Sequence, residues 1–277
     1  MKIEFKNVSF SYDKKINALK NINLTLNNNE IIFILGHTGS GKSTLIQQLN
    51  GLLFPTSGEV KINCNDKEYF INGKEKRLKE LRKNIGMVFQ FPENQLFESE
   101  VIKDVMFGPI NFGYKEDEAL RCSKESLSLV SIGEHYYNKS PFDLSGGEKR
   151  KVAIAGVLAS KPRILVLDEP TSSLDNKSSK EFFTLLRKLK DEGNMIIVVS
   201  HDVNLCYEYA DKVIILDNGE MTYFGDYKHA FENDYLLESA RIEKPFVLKA
   251  KEKLNIDGDF RNIAQLLLVL KEEKRYE

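Results

Sequence analysis

The sequence predicts an α/β fold whose main sheet is mostly parallel. In the second half of the chain, short apolar runs typical of buried strands alternate with segments of helical periodicity. This alternation is typical of parallel strands that are covered by helices on both faces. The strand-like runs are 164–167, 195–199 and 213–216, and the helical segments are 148–159 and 178–189.

The first part of the chain predicts an antiparallel β subdomain. Apolar residues recur with the two-residue period of half-buried strands over 3–12 and 22–26. A slip in this period at Lys6 and Asn7 indicates a bulge or turn. A fully apolar run at 31–35 then predicts a buried strand.

Two further regions are predicted to be helical. Charged and apolar residues are interspersed at helical spacing over 75–83 and 116–130, which predicts a helical subdomain at about 91–160. Beyond position 225 the pattern weakens, so we expect one domain over 1–234 and a C-terminal α extension over 235–277. The extension ends in a helical segment whose apolar positions are Ile263, Leu266, Leu267, Leu268, Val269 and Leu270.

The composition argues against several classes of protein. Lysine and arginine total 40 against 41 aspartates and glutamates, and the resulting net charge of −1 offers no general basic surface for nucleic acid. The longest apolar runs are far shorter than the roughly 18 residues of a membrane span. The first residues already alternate like a strand, which predicts no signal peptide and a cytosolic chain. Cys64, Cys122 and Cys206 are widely spaced, as expected of reduced thiols.

A glycine-rich segment lies between the predicted strand 31–35 and a helical pattern. Glycines at such a point let consecutive backbone N–H groups surround phosphates, where the helix N-terminus adds partial positive charge. Lys42 then supplies a point charge to the β- and γ-phosphates, and Ser43 supplies a hydroxyl for Mg²⁺. The order of strand, loop and helix predicts a P-loop NTPase core. The predicted nucleotide-binding loop is Gly36-His37-Thr38-Gly39-Ser40-Gly41-Lys42-Ser43-Thr44.

Two carboxylates follow the predicted strand 164–167. Ligands of open α/β sheets bind at the carboxyl ends of the strands, which favours a functional role for charges at this position. We expect Asp168 to hold Mg²⁺ directly or through water, and Glu169 to polarise the attacking water. Taken alone, the pair is also compatible with a helix cap or a surface pair.

The segment Leu144-Ser145-Gly146-Gly147-Glu148 opens another predicted helix. A serine and two glycines at a helix start form a second anion site, although a capping box gives the same pattern. With the phosphate loop and the strand-end carboxylates, this segment resembles the signature of ABC ATPases. In that family the signature of one subunit covers the ATP of the other. The resemblance therefore implies that Ser145, Gly146 and Gly147 contact the ATP of a partner subunit in a head-to-tail dimer.

Further residues match this family in the same order along the chain. Gln90, after a strand-like run, matches the Q-loop glutamine, which senses Mg²⁺ and the attacking water. Asp175 closes a segment that resembles the D-loop, 172–175, and would contact the partner's ATP. His201 matches the switch histidine at the γ-phosphate, and Tyr12 resembles the aromatic residue that stacks on adenine. The catalytic set implied by the resemblance is Glu169, His201, Gln90 and Lys42.

The segment around Gln90 narrows the resemblance. Phe89-Gln90-Phe91-Pro92-Glu93-Asn94-Gln95-Leu96-Phe97, with Asp104-Val105-Met106-Phe107-Gly108-Pro109 downstream, resembles the ATPases of energy-coupling factor transporters. Of their two ATPase paralogues, this chain looks closer to the second. These transporters import vitamins and, in related systems, cobalt or nickel ions.

This resemblance also implies partners and a location. The expected partners are a second, paralogous ATPase, an integral membrane scaffold and a substrate-specific membrane component, with no nucleic acid. The chain would sit on the cytoplasmic side of the cell membrane, with the scaffold docking near Gln90 and Glu93. Glu93 is then the acidic contact for scaffold arginines, or else a solvated loop carboxylate. The C-terminal extension would strengthen association of the two ATPases, or else pack only on its own domain.

Two other classes of protein share the catalytic residues. An ATPase of another ABC transporter would differ in its docking surface and its tail. A soluble ABC protein acting on ribosomes or DNA would usually carry two tandem cassettes or a long coiled-coil insertion. This chain has one cassette, no heptad insertion and a neutral charge balance.

Overall fold

The described residues, 1–13, 16–172 and 174–273 in a computed structural model, form two sheets with helices around them. The predicted α/β class is therefore confirmed. In chain order the strands are β1 (Lys2–Ser11), β2 (Asn17–Asn27), β3 (Ile31–Leu35), β4 (Ser57–Cys64), β5 (Lys67–Ile71), β6 (Ile85–Val88), β7 (Ile164–Asp168), β8 (Met195–Val199), β9 (Lys212–Asp217) and β10 (Glu220–Asp226).

The larger sheet is mainly parallel, as predicted. Within the described residues its strand order is β10-β9-β3-β8-β7-β6. Its neighbouring strands pair in parallel, except that β10 runs antiparallel to β9. Every residue of β3, β6, β7 and β8 is buried, as expected for strands covered on both faces. The carboxyl ends of these strands meet at one edge, which carries the candidate site.

The smaller sheet is antiparallel, with the order β2-β1-β4-β5. The predicted bulge in β1 is present, because the pairing with β2 shifts between Phe5 and Val8, and Asn7 has φ of 49°. Side chains of this sheet, such as Phe5 and Val60, share a core with Ile32 and Ile34 of β3. The antiparallel sheet is thereby fixed against the strand that leads into the phosphate loop.

The helices vary in length and surround the parallel sheet. The helix predicted to begin at residue 75 begins after Arg77 instead. The Glu75 carboxylate accepts hydrogen bonds from the backbone N–H groups of Arg77 and Phe70, so Glu75 lies before the helix. The helices are α1 (Lys42–Leu49), α2 (Leu78–Asn84), α3 (Val101–Asn111), α4 (Glu116–Leu129), α5 (Gly146–Leu158), α6 (Asn176–Asp191), α7 (Val203–Tyr209), α8 (Tyr227–Glu232), α9 (Asp234–Ser239), α10 (Phe246–Leu254) and α11 (Ile263–Glu273).

Helices α3, α4 and α5 pack on one another within the region predicted to be helical. At the other end of the chain, the Arg261 guanidinium fastens the last helices to the domain. It donates to the Ala210 carbonyl at 2.9 Å and lies 3.7 Å from the centre of the Tyr227 ring. Among the helices of the described residues, none is both long enough and apolar enough to span a bilayer.

Candidate active site

The phosphate loop depends on glycines at two close approaches of the backbone. Gly36 has φ of 145°, and a Cβ there would lie 2.2 Å from the Leu216 carbonyl oxygen. Gly41 has φ of 103°, and its Cβ would lie 2.6 Å from the Ala18 carbonyl oxygen. Residues with side chains are excluded from both positions. The loop therefore keeps its tight path between β3 and α1.

Lys42 holds its ammonium group over this loop. Nζ donates to the Gly36 carbonyl at 2.7 Å and to the His37 carbonyl at 2.8 Å. Burial lowers the pKa of Lys42, and the charges of Glu169 and Asp168 oppose that shift. A positive charge at this position can reach phosphates cradled by the loop. Beside it, the His37 ring lies 2.9 Å from the Asp217 carboxylate.

Ser43 and Asp168 meet at the start of α1 and the end of β7. The Ser43 hydroxyl donates to Oδ2 of Asp168 at 3.0 Å. Burial raises the pKa of the Asp168 carboxyl, while the Ser43 hydrogen bond and the Lys42 charge oppose the shift. Hydroxyl and carboxylate oxygens are ligands that Mg²⁺ prefers, so these donors fit that ion. Gln90 follows β6, which pairs in parallel with β7, and is therefore at the same edge of the sheet.

Glu169 and His201 form the second pair of the site. The Glu169 Oε1 atom and the His201 Nδ1 atom are 2.8 Å apart. Glu169 has φ of 50°, in the left-handed region, and its N–H donates to the Val199 carbonyl at 2.9 Å. The carboxylate is mostly buried, whereas the His201 side chain is 77% exposed. Both residues line a cavity of about 550 Å³ together with Lys42 and the loop.

Tyr12 lies beside α1, as expected for a ring near the loop. Its hydroxyl is 3.1 Å from the Thr44 hydroxyl, and its ring packs edge-on against Phe10. The residue is 66% exposed, so its ring is accessible. Ser40 of the phosphate loop, in contrast, is buried.

The signature residues do not line the cavity beside Lys42. Ser145 caps α5 in a capping box, since its hydroxyl accepts from the Glu148 N–H and the Glu148 carboxylate accepts from the Ser145 N–H. Gly146 and Gly147 form the first turn. Apart from the adjacent residues and the backbone of the helix itself, no atom of the described residues would lie within 4 Å of a Cβ on either glycine. Asp175 caps α6 by accepting from the Ser178 N–H at 2.7 Å, which lowers the pKa of its carboxyl. Ser173 of the expected D-loop lies outside the described residues.

Glu93 differs from the solvated carboxylate considered above. Its side chain is 19% exposed, and Oε2 lies 3.8 Å from Nε of Arg150 in the same chain. Arg150 was not predicted as a functional residue, and it lies within the charged run Lys149-Arg150-Lys151. A signal was present: Arg150, Ile154 and Leu158 recur every fourth residue on the buried face of α5.

The loop, the strand-end carboxylates and the histidine define a P-loop nucleoside triphosphatase. The family model for ABC transporter matches residues 19–172. The energy-coupling factor transporter ATP-binding protein EcfA2 of Streptococcus agalactiae serotype Ia is 46% identical over 262 residues, which is 93% of each chain. EcfA2 of Streptococcus pyogenes serotype M5 is 46% identical over 259 residues, covering 92% of this chain and 91% of that relative.

Solved structures show the same relationship. The cbiO1 protein from Clostridium perfringens, part of the ABC transporter complex cbiONQ, is 34% identical with a TM-score of 0.75, covering 92% of this chain and 98% of its own. A dimeric bacterial ABC transporter cassette is 34% identical with a TM-score of 0.73, covering 81% of this chain and 98% of its own. The chain belongs to the ABC transporter ATPases and, among them, to the ATP-binding proteins of energy-coupling factor transporters.

Proposed function

We propose that this chain hydrolyses ATP to energise an energy-coupling factor importer of vitamins or related micronutrients, on the cytoplasmic side of the cell membrane. One observation carries the proposal. The Glu169–His201 pair, at 2.8 Å, and the Ser43–Asp168 pair, at 3.0 Å, lie with Lys42 at the same edge of the sheet. This arrangement places a base, an ion-binding pair and a phosphate cation within one site.

Each side chain then has a distinct task in hydrolysis. The loop N–H groups and Lys42 bind the phosphates, and Tyr12 stacks on adenine through its accessible ring. Ser43, Asp168 and Gln90 would hold Mg²⁺, which would supply positive charge beside the phosphates. Glu169 orients the attacking water and accepts its proton. His201 holds the Glu169 carboxylate and contacts the γ-phosphate.

The signature completes the site of a second ATPase subunit. Ser145 and Asp175 are exposed, and the signature residues are absent from the cavity lined by this chain's own loop. Signature residues that can bind phosphate but lie outside their own chain's nucleotide cavity are suited to bind the nucleotide of a neighbouring subunit. Gly146 and Gly147 leave room for its phosphate to approach the start of α5. A similar ABC transporter cassette is dimeric, which supports pairing of two such domains. In this chain's dimer the two subunits lie head to tail, and the second subunit is a paralogue.

The membrane scaffold docks on an aromatic surface beside Gln90. We define this docking surface by Phe91, Phe97 and Phe107, which are 49%, 55% and 49% exposed. Phe97 and Phe107 contact each other edge-on, with ring centres 4.9 Å apart. Exposed aromatic clusters of this kind favour a protein partner. Gln90, which precedes Phe91 in the sequence, is also exposed, and Glu93 follows two residues after Phe91 with a carboxylate.

Affinity purification of the tagged chain from detergent-solubilised native membranes tests this function. We expect a second ATPase, one integral membrane scaffold and small substrate-specific membrane proteins at stoichiometric levels. A dedicated pair of permeases would instead indicate another ABC transporter. Ribosomes or DNA without membrane proteins would contradict a role in transport. The small membrane proteins, once identified, would reveal the transported substrates.

A further inference from the structure

Arg150 is a buried cation that the hydrolysis scheme above does not use. It is 0% exposed and lies in the second turn of α5. A guanidinium is costly to bury unless its donors are matched by acceptors. One terminal nitrogen, Nη2, donates to the Glu169 backbone carbonyl at 3.2 Å and to the Ser172 hydroxyl at 3.3 Å. Arg150 thus connects α5 to the backbone of the proposed base.

The Glu169 backbone is the part of the site that most needs such support. Its φ of 50° is unfavourable for a residue with a side chain. Its N–H donates to the Val199 carbonyl at 2.9 Å, and its carbonyl also accepts from the Ser172 N–H at 3.4 Å. The Arg150 hydrogen bond to that carbonyl is shorter than the one from Ser172. Because this peptide sets the direction of the side chain, it controls the carboxylate that meets His201.

Glu93 places an acidic group on the other side of Arg150. Its Oε2 lies 3.8 Å from Nε of Arg150, and Glu93 is next but one to Phe91 of the docking surface. The same helix that carries Arg150 begins at the Ser145 cap. The guanidinium is therefore located where the docking surface, the signature helix and the Glu169 backbone come together.

We propose that Arg150 is a positioning residue that holds the Glu169 peptide, and that Glu93 fixes the orientation of the Arg150 guanidinium. A movement of α5 or of the docking surface then changes the direction of the Glu169 carboxylate while the contacts of Lys42 and the phosphate loop with this chain's own nucleotide stay the same. This inference rests on the proposed ATP hydrolysis. It predicts that Arg150 and Glu93 affect turnover rather than nucleotide binding.

The test compares Arg150→Lys, Glu93→Gln and the double variant in the purified ATPase–scaffold complex. Lysine keeps the charge but loses the planar fork of donors. We expect Arg150→Lys to lower kcat roughly tenfold or more, while the Kd for a fluorescent ATP analogue changes less than about twofold. The double variant should lose less activity than the product of the two single losses, because both changes act on one contact.

Arg187→Lys is the matched control. Its guanidinium also donates to a backbone carbonyl, that of Glu208 at 2.7 Å, but on α6 away from the site. The melting temperature of each variant measures any general loss of stability. Ser172→Ala is a milder change that removes one acceptor of the Arg150 guanidinium, and it replaces Arg150→Lys if that variant does not fold. It should also lower kcat without a change in the Kd for the ATP analogue.

Any of three results would overturn this inference but not the proposed function. They are a loss of kcat in Arg150→Lys no larger than that in Arg187→Lys, an equal loss of nucleotide affinity in Arg150→Lys, or independent effects of the two changes in the double variant. A folded wild-type complex that does not hydrolyse ATP would overturn the proposed function itself, and the inference with it.

Discussion

Glu169 is held in a conformation that its own side chain disfavours. A residue other than glycine with φ near 50° costs about 1–3 kcal/mol, which the surrounding hydrogen bonds offset. The result is a carboxylate at the end of β7 that points to His201 and not into the sheet. The strained backbone of Glu169 therefore directs its carboxylate to the position that the proposed catalytic base needs.

Replacing this carboxylate by an amide tests the role directly. Glu169→Gln keeps the size of the side chain and a hydrogen bond to His201, but it removes the proton acceptor. We expect kcat for ATP hydrolysis to fall roughly 10²- to 10⁴-fold, with ATP binding and ATP-dependent association of the subunits retained. Phosphate release by the purified complex measures turnover. Glu181→Gln, at an exposed position of α6, is the control. Turnover near the wild-type rate in Glu169→Gln would show that Glu169 is not the catalytic base.

Residues that carry chemistry differed in how far the sequence could predict them. Lys42, Asp168 and Glu169 follow apolar strands, and their positions at one sheet edge could be inferred from order alone. The contact between Glu169 and His201 could not, because it depends on the left-handed backbone of Glu169. The role of Arg150 could not be assigned either, because its spacing with Ile154 and Leu158 indicates a buried face of α5 but does not reveal the contact with the Glu169 backbone.

At the scale of elements, the N-terminus of α5 is held in place by side chains of its own chain. The Tyr136 hydroxyl donates to the Glu148 carboxylate, which also accepts from the Ser145 hydroxyl and N–H. These bonds, that of Tyr136 above all, lower the pKa of Glu148 from its ordinary value of 4.5 to about 2. The capping carboxylate is therefore charged throughout the neutral range.

Removing the Tyr136 hydroxyl should raise this pKa. In Tyr136→Phe we expect the Glu148 pKa to move from about 2 towards 4.5, as followed by carboxyl chemical shifts in an NMR titration. The carboxylate stabilises the fold above its unfolded pKa, and this contribution is lost as pH falls through the folded pKa. The variant should therefore lose the cap at a higher pH than the wild type. Tyr137→Phe, at the adjacent ring, should leave the Glu148 titration unchanged.

The elements that the sequence did not predict have weak or unused signals. Strand β10 is only partly buried and lies at the sheet edge, so its pattern does not resemble that of the buried strands. Its hairpin to β9 turns at Asn218 and Gly219, both with positive φ, and an Asn-Gly pair is a strong hairpin signal that was not used. Helices α8, α9 and α10 are short, so each gives only a weak helical pattern in the sequence. Their apolar residues are recognisable as core positions only where they pack with the residues of the parallel sheet.

At the scale of the whole molecule, the last helix has both a packed and an uncovered face. Leu266 is 1% exposed and belongs to the core, whereas Leu267 and Leu268 are 48% and 61% exposed. The helix packs on its own domain through Leu266, and the association of two ATPases through its exposed side chains stays a prediction. Under the proposed function, the uncovered leucines contact the partner ATPase.

The double variant Leu267→Ser, Leu268→Ser tests that contact. Since each leucine would bury about half of its surface, we expect the dissociation constant of the two ATPases to rise roughly tenfold or more. Sedimentation equilibrium measures the association, and the melting temperature of the isolated chain should not change. Leu52→Ser, at a residue 46% exposed elsewhere on the domain, is the control. Unchanged association in the double variant would leave α11 as an intrachain element only.

Under the proposed function, the docking surface connects the domain to a membrane complex. Its aromatic rings can be removed without disturbing the backbone beneath them. The Phe97 N–H is held by the Asp104 carboxylate at 2.8 Å, independently of the Phe97 ring. Phe97→Ser with Phe107→Ser should therefore reduce recovery of the membrane scaffold severalfold in affinity purification, because two large apolar contacts are lost. ATP binding by the variant should match the wild type, and Leu129→Ser, at a residue 41% exposed on α4, should recover the scaffold normally. Full recovery of the scaffold with the double phenylalanine variant would show that the membrane partner binds another face, and it would separate Glu93 and Arg150 from any signal that starts at the membrane.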